Sequence, residues 1–147
     1  MSLNLTVLNR YSMESFRTNE PYIVISIRCP NDSLPKFAFD SNRKDVLYIE
    51  INDTDDKKLA EKYDYKMLSE EEAEQILEFV FHHKDNIPNV VVHCDAGKSR
   101  SAGTAAALLK IFNGDDSSIM ENRRFIPNMY IYRLLLNKAF DKGIYKP

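Results

Sequence analysis

Residues Val90–Gly103 read VVVHCDAGKSRSAG: three β-branched residues, His93-Cys94, a five-residue turn closed by Arg100, then a run of small residues. The apolar stretch Asn89–His93 predicts a buried strand. Ser101–Phe112 (SAGTAAALLKIF) predicts a helix, alanine-rich enough to pack closely. A strand that turns directly into a helix is the unit from which parallel α/β sheets are built. The turn between them is also an anion trap. Backbone N–H groups of Asp95, Ala96, Gly97, Lys98, Ser99 and Arg100 can converge on one point, at which the positive end of the helix also aims. Gly97 supplies backbone angles that so tight a turn needs.

Working outward, Tyr22–Ile27 (YIVISI) and Val46–Ile51 (VLYIEI) are further strands, and Leu3–Leu8 fits an edge strand. Ser69–His83 predicts a helix with a marked start, because Ser69 and Glu72 form a capping box. Ala73, Ile76, Leu77 and Val80 then share one face. Asp115–Asn122 suits a short helix. Pro127–Lys142 suits the last one, with Ile131, Leu134 and Leu135 inward and Gly143 as its stop. The connection from Ile51 to Leu68 is long for an α/β protein, and such loops often act as lids.

This alternation predicts an α/β fold: a central, mostly parallel twisted sheet of four to five strands flanked by helices, in one domain spanning residues 1–147. Ligands of such sheets bind beyond the carboxyl ends of the strands. Arg28 and Cys29, Asp53, and Cys94 each follow a strand, so parallel strands would open all of them onto one edge.

The 147 residues are 44% hydrophobic and 29% charged, with a net charge of −2. That is a globular balance, and it argues against nucleic acid as the main partner. No stretch has the apolar length of an export signal or a membrane span. Two cysteines give no disulfide framework, so the expected compartment is a reducing cytoplasm, with no membrane insertion.

In that setting the Cys-x5-Arg turn points to chemistry. Helix N-termini and nearby cations favour the thiolate of a cysteine, and Arg100 offers phosphate a planar two-pronged contact that lysine cannot. A buried structural cysteine is the plainer alternative, but strand, Cys-x5-Arg-Ser and helix in this order are far more specific. A nucleotide-binding P-loop fails, because Val92 stands where its first glycine is required.

HCDAGKSRS resembles the signature of the protein tyrosine and dual-specificity phosphatase superfamily, His-Cys-x5-Arg followed by Ser or Thr. With VLYIEINDTD and SEEEAEQILEFV before it, the chain is similar to small prokaryotic and viral tyrosine-phosphatase-like proteins from about Tyr22 to Phe140. The low-molecular-weight phosphatases carry their loop at the extreme N-terminus, unlike Cys94. The resemblance implies a phosphotyrosine-phosphatase-like fold and a phosphomonoesterase that needs no metal or other cofactor and works through a phosphocysteine. Cys94 would be the nucleophile. Arg100 and the amides of Asp95 to Arg100 would bind the phosphate, and the Ser101 hydroxyl would help sulfur leave. Asp53 would be the general acid.

Alternatives stand beside several of these roles. Asp55 and Asp56 compete with Asp53, and Ser101 also suits a helix N-cap. His93 suits an orienting hydrogen-bond partner better than a base. Cys29 is either an incidental loop cysteine or a partner that bridges Cys94 on oxidation. Asn128 supports a loop or starts a helix. The expected partner is a phosphorylated protein or small phosphomonoester. An inositol or lipid phosphate is the alternative substrate, and a non-catalytic phosphate-binding module the alternative class.

Overall fold

The computed structural model describes residues 2–147. Four strands form one sheet: β1 (Asn4–Asn9), β2 (Tyr22–Arg28), β3 (Arg43–Glu50) and β4 (Asn89–Cys94). Their order is β1-β4-β2-β3 and every pairing is parallel. The helices are α1 (Arg10–Ser15), α2 (Lys57–Tyr63), α3 (Glu70–His83), α4 (Arg100–Asn113), α5 (Ser117–Met120) and α6 (Met129–Asp141).

The two central strands, β2 and β4, are buried on both faces, which is why they read as unbroken apolar runs. Alternate side chains go to opposite faces. Ile23, Ile25, Ile27, Val90 and Val92 join Ile76, Leu77, Val80, Leu108, Ile131 and Leu135 of α3, α4 and α6 in the larger core. Tyr22, Val24 and Val91 pack with Met13 of α1 in the smaller one. Cys94 falls on the α4 side and His93 on the other, against Ser26 and Phe37.

Edge strands carry the polar residues. β3 starts three residues before the expected Val46, because Arg43, Lys44 and Asp45 lie on an edge where charge is tolerated and strand-to-strand aggregation is discouraged. The capping box of α3 is present, with Ser69 Oγ accepting from Glu72 N–H (3.1 Å) and Glu72 Oε1 accepting from Ser69 N–H (3.0 Å). Such a cap is worth about 1 kcal/mol.

One expectation is corrected. The stretch from Ile51 to Leu68 is not an open loop, because α2 fills its middle. Asp56 caps that helix by accepting from Lys58 N–H (2.8 Å) and Leu59 N–H (3.3 Å). No helix among the described residues is long and apolar enough to cross a membrane.

Candidate active site

β4 ends at Cys94, whose thiol is 2% exposed and lies 3.0 Å from Ser101 Oγ in the first turn of α4. Between them the loop turns its carbonyls outward. The carbonyl of Asp95 accepts from Arg10 N–H (3.2 Å), that of Lys98 from Ile126 N–H (2.9 Å) and that of Ser99 from Asn128 N–H (3.0 Å). The amides of Ala96 to Ser99 have no protein acceptor among the described residues, so these donors are free for a ligand.

Gly97 is required twice over. Its φ of +67° is a left-handed value, and a Cβ there would sit 2.6 Å from Asn9 N at the end of β1.

Arg100 opens α4 and its side chain turns back into the site, 5% exposed. Nη1 donates to the carbonyl of Ile51 (2.8 Å) and to Cys29 Sγ (3.2 Å), while Nη2 lies 3.4 Å from Asp95 Oδ2. Nε is buried without a partner. Burial works against the charge. The Cys29 sulfur and the nearby Cys94, Cys29 and Asp53 outweigh it and hold the guanidinium above the ordinary arginine pKa. A buried, permanently charged fork with one donor unsatisfied suits a dianion.

Of the three candidate acids, the fold brings Asp53 to the loop. Its Oδ1 accepts from Ser99 Oγ (2.8 Å) and from Asn128 Nδ2 (3.2 Å). Asp56 is used as the α2 cap, and Asp55 lines a separate groove of about 440 Å³ with Lys57, Tyr130 and Arg133. The N-cap of α4 is Ser99 and not Ser101, whose hydroxyl faces Cys94 instead. Lys98 is exposed and borders a cavity of about 390 Å³ with Arg124, Asn9 and Ser12.

Both cysteines are free, and Cys29 Sγ contacts Arg100 and Asp95 Oδ2 (3.8 Å). Ligand atoms of Cys29, Asp32 and Asp95 lie within 4.8 Å of one another. The Arg100 guanidinium beside Asp95 and Arg28 Nε on the carbonyl of Asp32 (3.1 Å) put positive charge against any cation there.

His93 is fully buried, with Nε2 2.7 Å from Ser26 Oγ. Burial pushes its pKa down to about 4, so the ring is neutral at physiological pH. Because the folded pKa lies below the unfolded value near 6.5, the unfolded chain binds the extra proton first as pH falls. Stability is therefore lost between pH 6.5 and 4, by an amount on the order of 3 kcal/mol. Urea titrations across that range should show the loss, and His93→Gln should remove most of the slope. An unchanged slope would mean that other groups carry it.

The sequence profile of the tyrosine phosphatase family matches residues 10–122, which run from the start of α1 past α5 and take in Cys94, Arg100 and Asp53. The chain belongs to the tyrosine phosphatase family. No curated protein matches it. Among solved structures, the human tyrosine phosphatase-like serine/threonine/tyrosine-interacting protein superposes with a TM-score of 0.64 at 18% identity, over 95% of this chain and 93% of that one. PTPMT1 in complex with PI(5)P gives 0.53 at 19% identity, over 84% and 78%. The Cydia pomonella PTP-2 phosphatase gives 0.50 at 20%, over 80% and 70%. At these identities the neighbours bear on the fold. They place this chain's four-stranded, all-parallel sheet flanked by helices among phosphotyrosine-phosphatase-like folds.

Two features of this family member were not assigned from its sequence. Cys29 touches the buried Arg100 guanidinium, and Asn128 does both of the jobs left open for it. Its Oδ1 caps α6 at Ile131 N–H (3.1 Å), while its Nδ2 reaches Asp53 and the carbonyl of Thr54 (3.1 Å).

Proposed function

We propose that this chain is a cysteine-dependent phosphomonoesterase of the protein tyrosine or dual-specificity type, working without a metal. The observation that carries the reading is one short loop that joins Cys94 Sγ, 3.0 Å from Ser101 Oγ, to amides without a protein acceptor and to the buried Arg100 fork, with Asp53 bonded to Ser99 of that loop.

In the first step Cys94 sulfur attacks phosphorus and the P–O bond to the leaving group breaks. The departing oxygen takes a proton from Asp53. Arg100 and the amides hold the equatorial oxygens, whose charge the transition state redistributes. In the second step water attacks the phosphocysteine, its proton goes to Asp53, and the S–P bond breaks to release phosphate. The Ser101 hydroxyl, 3.0 Å from sulfur, donates to the departing thiolate. The site's cationic work is thus assigned to Arg100 and the loop.

A second reading is supported by the cavity beside Lys98 and Arg124, which would suit a further anionic group. A phosphoinositide or other small phosphomonoester then competes with phosphoprotein as substrate, and the solved complex of a structural neighbour with PI(5)P fits that reading.

The purified protein should hydrolyse p-nitrophenyl phosphate in the presence of EDTA and be inhibited by vanadate. Activity that appears only when a divalent metal is added would overturn the mechanism. Binding of phosphate with no turnover of phosphopeptides or phosphoinositides would leave a recognition module.

A further inference from the structure

We propose that Asn128 is a positioning residue that fixes which oxygen of Asp53 carries the transferable proton. This rests on Asp53 being the general acid.

Asn128 is a polar residue at 3% exposure, and every hydrogen-bonding group it has is used. Its backbone N–H donates to the carbonyl of Ser99 (3.0 Å), its carbonyl accepts from Tyr132 N–H (3.1 Å) and its Oδ1 accepts from Ile131 N–H. The amide nitrogen spans Asp53 Oδ1 and the carbonyl of Thr54. One side chain thereby joins the Asp53 loop, the Cys94 loop and the start of α6. Gly103 keeps it close to α4, since a Cβ there would meet the Asn128 carbonyl at 2.4 Å.

The consequence for Asp53 follows from hydrogen-bond directionality. Nδ2 of Asn128 and Oγ of Ser99 both donate to Oδ1. An oxygen that accepts two donors has no room for a proton of its own, so a protonated Asp53 carries it on Oδ2. Oδ2 has no hydrogen-bond partner among the described residues, which leaves it free to serve a leaving group. Without the clasp, the exposed carboxyl would rotate freely and present either oxygen in either direction. The cap of α6 does not itself require asparagine, because serine, threonine and aspartate cap as well. An amide is needed to cap and donate at once.

That separation of roles supplies the test. Asn128→Ser keeps an α6 cap but lacks the amide. Ser99→Ala removes the other donor to Oδ1 without touching α6. Each is assayed against an aryl phosphate with a poor leaving group, phenyl phosphate, and one with a good leaving group, 2,4-dinitrophenyl phosphate. General acid catalysis matters only for the first.

Asn128→Ser should lower turnover of phenyl phosphate by about 30-fold and of the dinitrophenyl ester by about threefold at most, steepening the leaving-group dependence. Ser99→Ala should change the same ratio in the same direction. Equal losses with both esters in the two variants, or no loss, would overturn the proposal. Asp53→Ala tells the two layers apart. If it shows no leaving-group dependence, the acid assignment fails and the proposal with it. If it shows a strong one that Asn128→Ser and Ser99→Ala lack, only the positioning role fails.

Discussion

Cys94→Ser should lower turnover of p-nitrophenyl phosphate by about 10⁴-fold or more, while inorganic phosphate binds within about threefold of the wild-type affinity. The two halves of this result have separate origins. Turnover needs a sulfur anion at the base of the loop, and a serine hydroxyl near neutral pH is a weak nucleophile without a base beside it. His93 does not supply one, since its ring lies on the opposite face of β4, bonded to Ser26. In the proposed mechanism phosphate is held by the loop amides and Arg100, which the substitution leaves in place. Steady-state kinetics and phosphate-inhibition constants of the two proteins check this. Residual activity within about 100-fold of wild type would place the nucleophile elsewhere.

Arg100→Lys should lower kcat/KM by about 10³-fold, the range over which a guanidinium stabilises a transferring phosphoryl group. Lysine keeps the charge but loses the fork. Arg100 uses Nη1 to hold the Ile51 carbonyl and the Cys29 sulfur, and has Nε left over. An ammonium that satisfies the Ile51 carbonyl has no second rigid donor for phosphate. The fold should also lose about 1 kcal/mol, because one ammonium on the Ile51 carbonyl leaves Cys29 Sγ and Asp95 without the contacts that Nη1 and Nη2 supply. Kinetics together with a urea melt separate the two effects. A variant within tenfold of wild-type kcat/KM would show that point charge alone suffices.

How far the amino-acid sequence led depended on where burial was symmetric. β2 and β4 lie in the middle of the sheet, and their apolar runs announced them. β3 was found only from Val46, because its first three residues are charged and exposed on an edge. α2 was missed because Asp53, Thr54, Asp55 and Asp56 look like a solvated turn. Its start was nonetheless written in Asp56 followed by Leu59, Ala60 and Tyr63 at helical spacing. α1 is six residues long and buries Met13 alone, too little to give a period.

The site divides in the same way. Cys94 to Ser101 are contiguous, so spacing alone brought them together. Asp53 is placed beside Ser99 by the all-parallel order of the strands, which alternation of strands and helices foretold. Asn128 and Cys29 reach the site from distant segments, Asn128 through Asp53, Thr54 and the Ser99 carbonyl, Cys29 through Arg100 and Asp95. No local pattern encodes such contacts. The Ser101 hydroxyl shows the limit from the other side: residue type allows a helix cap, the family resemblance implies a contact with sulfur, and the helix start at Arg100 leaves the cap to Ser99.

The most direct test is to quench the wild-type protein with acid during incubation with substrate and look for a phosphoryl group on the peptide containing Cys94. One phosphoryl group per chain on that sulfur, absent in Cys94→Ser, is the predicted result. Rapid turnover with no phosphorylated peptide, or a phosphoryl group on any other residue, would contradict the account.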